Sequence, residues 1–107
     1  MIVNYRGSIG YGKNFMDSLL GQIGVRDVDD CGMLTKQALK QFEGIVDPTK
    51  IVVTGGSHGG FLTAWLCGHP EYRDLWAAAC MPNAVLDMNY MNASTDIPDW
   101  IAACVFN

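Results

Sequence analysis

The clearest hydrophobic pattern lies in the first half of the chain. Val28, Cys31, Leu34, Ala38 and Phe42 recur at spacings of three and four, which puts them on one face of a helix. Asp27, Asp29 and Asp30 fall in its first turn, where the helix dipole favours carboxylates, and read as a solvated helix start. Lys36 and Lys40 lie towards its end, and Gly44 is a stop signal. After an Asp47-Pro48 turn, Ile51-Val52-Val53 is β-branched and apolar without alternation, as a buried parallel strand should be. Residues 61–67 are apolar nearly all round and predict a buried helix, closed by Gly68 and Pro70. Residues 77–81 predict a further core strand, and residues 2–5 a strand before a glycine-rich loop. A short helix over residues 14–20 is stopped by Gly21, and residues 82–100 are mixed, with short helical turns.

Strand, helix, strand, tight turn, helix, strand is the order of an α/β protein with about three parallel strands and flanking helices. The 107 residues allow one domain, and 50% apolar content belongs to a packed core. A net charge of −4 without a Lys/Arg cluster argues against nucleic acid or an anionic membrane as partner. No apolar stretch resembles a signal peptide or a membrane span. Cys31, Cys67, Cys80 and Cys104 form no CxxC pair and read as reduced, mostly buried residues of a cytoplasmic protein. The cysteine spacing favours neither disulfides nor a metal.

Chemistry concentrates at Thr54-Gly55-Gly56-Ser57-His58-Gly59-Gly60, which holds Gly-x-Ser-x-Gly at Gly55, Ser57 and Gly59. The pattern is short, but a strand precedes it and a helix follows it, the setting of a nucleophile elbow. There a serine occupies the apex of a strained turn, and side chains at positions 55 and 59 would collide with neighbouring backbone. The His58 main-chain N–H faces the place where a substrate oxyanion forms. The His58 ring reads as a packing or pocket-side group rather than a general base, and His69 as an exposed loop residue. A Walker loop needs a lysine that is missing here, and the dinucleotide fingerprint Gly-x-Gly-x-x-Gly is not cleanly present.

Three blocks carry a resemblance to a known family. They are Val3-Asn4-Tyr5-Arg6-Gly7-Ser8 with Gly10-Tyr11-Gly12, then residues 55–61, then Ser94-Thr95-Asp96-Ile97-Pro98-Asp99-Trp100. Together they resemble the catalytic α/β-hydrolase domain of the prolyl oligopeptidase family, the third pointing to its acylaminoacyl-peptidase (acylpeptide hydrolase) branch. The resemblance implies a cytosolic serine peptidase releasing N-acylated amino acids from short blocked peptides, by acyl transfer to Ser57 without a cofactor. It further implies that full-length relatives are homo-oligomers with a β-propeller ahead of the hydrolase domain.

In this fold the triad runs Ser, Asp, His along the chain. The two histidines, His58 and His69, both precede the candidate acids Asp87, Asp96 and Asp99. The chain is therefore read as a partial catalytic domain over residues 1–100 with a divergent tail over 101–107. It is expected to be inactive alone and to fold poorly alone. Two alternatives stay open: a non-enzymatic fragment that pairs with full-length subunits through an exposed sheet edge, and a piece of another α/β-hydrolase such as an esterase or dipeptidyl-peptidase.

Overall fold

The computed structural model describes residues 1–105. Its centre is a β–α–β unit. Strand β1 (Val52–Thr54) leads through a tight turn into helix α3 (His58–Gly68), and the chain returns through a single 3-10 turn (Arg73–Leu75) to strand β2 (Ala78–Cys80). The two strands pair in parallel, with Val52 opposite Ala78, Val53 opposite Ala79 and Thr54 opposite Cys80. Parallel neighbours need a crossover of a dozen or more residues, and α3 supplies it.

Helix α2 (Arg26–Gln41) packs across α3. Val28 and Cys31 from α2 meet Phe61, Leu62 and Leu66 from α3, with Tyr72 closing the cluster. Upstream lies α1 (Lys13–Asp17); downstream α4 (Met88–Ser94) and α5 (Pro98–Val105) pack on each other. The Asp87 side chain caps α4 by accepting from the Tyr90 N–H at 2.9 Å. Ile101 is buried, and α5 runs on to Val105; of the expected tail, residues 106–107 lie outside the described residues. None of the described helices is long and apolar enough to cross a membrane.

Four expectations need correction. Residues 2–5 form no strand, and the sheet among the described residues has two strands, not three. All three residues of β2 are exposed rather than core, since β2 pairs only with β1 and its small side chains bury little. The inner face of α2 is rotated: Asp27, Val28, Cys31, Gly32 and Thr35 are buried, while Leu34 is 39% and Phe42 44% exposed. Asp27 is thus an interior group, not a solvated one. The radius of gyration, 14.7 Å, exceeds the roughly 13 Å usual for a domain near this length, as expected of a thin sheet.

Candidate active site

Ser57 stands between the end of β1 and the start of α3. Its backbone has φ 53° and ψ −119°, a conformation a non-glycine residue adopts only under constraint, at a cost of about 1–3 kcal/mol. The constraint is visible on both sides. The Ser57 N–H donates to the Pro82 carbonyl at 3.3 Å, and the Ser57 carbonyl accepts from Gly60, Phe61 and Val85 N–H groups at 3.0, 3.2 and 3.3 Å. The segment after β2 therefore grips the turn. Ser57 itself is exposed, and its hydroxyl makes no hydrogen bond among the described residues.

The glycines play unequal parts. A Cβ on Gly55 would lie 2.5 Å from the carbonyl carbon and 2.8 Å from the Cα of Gly59, with the Gly59 oxygen closer still. That is backbone against backbone, so position 55 tolerates only hydrogen. Gly59 differs from expectation: a Cβ there meets nothing within 4 Å, because it points away from the turn. The second tight position is Gly60, where a Cβ would lie 2.6 Å from the Ala84 Cβ.

The His58 N–H opens α3 and has no acceptor among the described residues. It is one of the orphan donors of a helix start, in the positive end of the helix dipole. The His58 ring turns elsewhere. Its Nε2 lies 2.9 Å from Asp27 Oδ2, and the ring stacks on Phe61 at a centroid distance of 5.4 Å. Asp27 is 0% exposed; its Oδ1 also accepts from the Gly24 and Val28 N–H groups at 2.7 and 3.0 Å. Sequence reasoning missed this pair, because no spacing rule links residues 31 positions apart.

His69 is half-buried rather than fully exposed, stacked on Tyr72 at 4.6 Å, with Nδ1 accepting from the Glu71 N–H at 3.2 Å. Neither ring nitrogen of either histidine is hydrogen-bonded to Ser57. Asp87 is spent on its cap, and Asp96 lies beside Thr95. Nearby, Arg6 grips Asp30 through Nε and Nη2 at 2.9 and 2.7 Å, and through its own N–H at 2.8 Å. Burial works to raise the Asp30 carboxyl, but these bonds outweigh it and hold it below its ordinary value. Burial, reinforced by Asp27 and then Asp30, pushes the Cys31 thiol up to about 11. No group of three His, Cys, Asp or Glu side chains among the described residues converges as a metal site would require.

A strained, exposed serine between strand and helix, followed by a free main-chain N–H, is the geometry of acyl-transfer hydrolases. The family model for the prolyl oligopeptidase family matches residues 1–106. The chain belongs to that family. Among its relatives, the acylamino-acid-releasing enzyme of Arabidopsis thaliana is 48% identical over 94% of this chain, and that of Sus scrofa 41% identical over 94%. The chain spans 13% of the length of each of these two curated relatives. A solved acylaminoacyl peptidase in complex with Z-Gly-Gly-Phe-chloromethyl ketone superposes with a TM-score of 0.85 at 30% identity, over 97% of this chain and 16% of its own. The acylaminoacyl peptidase of Pyrococcus horikoshii gives 0.85 at 28% identity, over 95% and 16%. These neighbours make the two-stranded unit part of an α/β-hydrolase fold.

Proposed function

We propose that this chain carries the nucleophile of a serine peptidase of the acylaminoacyl-peptidase kind. Ser57 Oγ attacks the carbonyl of an N-acylated residue at the blocked end of a short peptide. The carbonyl electrons move onto oxygen, and the His58 N–H stabilises that oxyanion. The serine proton passes by way of a general base to the departing amine, and water then hydrolyses the serine ester, releasing the N-acylated amino acid and restoring the hydroxyl. The carrying observation is the Ser57 backbone, whose positive φ lifts the hydroxyl to the surface beside an unpaired donor.

Among the described residues no histidine reaches this hydroxyl as a base, since His58 and His69 are both engaged elsewhere. An alcohol without a base is a weak nucleophile, and loss of a triad member costs about 10⁴ or more in turnover. The chain alone therefore hydrolyses an N-acetyl-alanyl chromogenic substrate negligibly, yet its Ser57 reacts slowly with a fluorophosphonate probe. Labelling abolished by Ser57→Ala supports the reading; labelling that survives that substitution, or never occurs, removes it.

A second reading, pairing with a full-length subunit, is favoured by one observation. Val52 on β1 is 59% exposed and borders an apolar cleft of about 910 Å³, which Val3 and Tyr5 also line. A strand edge of this kind accepts an added strand. Co-purification with a full-length relative, in the absence of probe labelling, distinguishes it.

A further inference from the structure

We propose that Asp27 and His58 are a positioning pair that fixes the elbow's backbone, and with it the direction of the free N–H after Ser57. The proposal rests on the reading of Ser57 as nucleophile, although neither side chain touches the reacting atoms.

The argument starts from what the pair costs. A single hydrogen bond joins His58 Nε2 to Asp27 Oδ2, with the proton on whichever atom the histidine tautomer leaves as donor. Burying a carboxylate is unfavourable unless every oxygen is bonded, and an apolar residue in its place is often as stable. Here three nitrogens converge on Asp27, two of them backbone N–H donors from α2 and the turn before it, the third the His58 ring nitrogen. The backbone bonds tie the carboxylate to α2. Only the third crosses to another element, and it reaches the residue directly after the nucleophile.

The ring has little freedom beyond that bond. It stacks on Phe61 at an interplanar angle of 21° and faces Tyr5 at 6.1 Å and 47°. Burial, with Asp27 next, raises the Tyr5 phenol. With the ring anchored on these sides, the His58 Cα–Cβ direction is set, and so is the peptide plane joining residues 57 and 58. That plane carries the candidate oxyanion donor. The segment 82–85 holds the other side of Ser57. Without the Asp27 anchor, the strained φ can relax towards ordinary values and swing the N–H away.

The test compares Asp27→Asn, His58→Ala and His58→Gln at a temperature where each keeps native far-UV ellipticity. Two quantities are read: the rate at which a fluorophosphonate labels Ser57, and the Ser57 one-bond Cα–Hα coupling, which falls at positive φ. Asp27→Asn and His58→Ala are expected to slow labelling by at least about tenfold and to return the coupling to the ordinary range. His58→Gln keeps an N–H for Asp27 and retains more of both. Wild-type labelling rates with an unchanged coupling in the first two variants overturn the proposal. So does loss of the whole fold in both, which makes the pair a global packing element. If the wild type is not labelled at all, the nucleophile reading fails, and the coupling alone decides whether the pair holds the turn.

Discussion

Substituting alanine at the two outer glycines of Gly-x-Ser-x-Gly should move stability in opposite directions. In Gly55→Ala the new methyl lies 2.5 Å from the Gly59 carbonyl carbon and 2.8 Å from its Cα. Van der Waals contact needs roughly 3.5 Å or more, so β1 and α3 must part by close to 1 Å. Both colliding groups are main chain, so no rotamer change relieves the clash. Overpacking of this kind costs about 1–3 kcal/mol, and backbone rigidity puts the value near 3. In Gly59→Ala the methyl meets nothing within 4 Å and sits in a helix. Alanine there gains about 0.5–1 kcal/mol over glycine through the smaller entropy of its unfolded chain. The two variants should differ by about 3–4 kcal/mol. With a denaturant slope of about 1.5 kcal/mol/M, that is a separation of about 2 M in urea midpoint. Equilibrium urea unfolding followed by far-UV circular dichroism reads it. Equal destabilisation by both substitutions would refute the assignment of the steric conflict to position 55.

Two further outcomes follow from charges and thiols. Asp30→Asn removes charge-assisted bonds from a part-buried pair and should cost about 1–2 kcal/mol at neutral pH by urea unfolding. Because the folded Asp30 value lies below 3.8, its contribution in the wild type is present above that value and fades as pH falls through the folded one, so the two proteins converge in acid. Iodoacetamide at pH 8 should modify exposed Cys80 well before buried Cys31, whose thiol is held near 11; peptide mapping of a time course showing Cys31 first would contradict its burial.

Much of this could be read from the residues in order. The elbow was legible because its information is local: a β-branched run, small residues and a serine within ten positions dictate a turn that only hydrogens at Gly55 allow. Helix α2 was legible through periodicity and a stop signal, and α3 through an apolar run over residues 61–67 with its stop signals, although it begins earlier, at His58. Three things were not. The rotation of α2 depended on Tyr72 and α3 covering Val28 and Cys31 while leaving Leu34 in solvent. The unequal roles of Gly55 and Gly59 depended on which way each Cβ would point. The fate of the acidic cluster depended on partners far along the chain, Arg6 for Asp30 and His58 for Asp27.

The chain by itself thus determined that a serine would crown a strand-to-helix bend, since backbone sterics act between neighbours. Only the assembled molecule decided that Asp27 would be buried against the residue after that serine. Charges and rings choose partners by distance in space, and distance in space is what a linear order of residues does not contain.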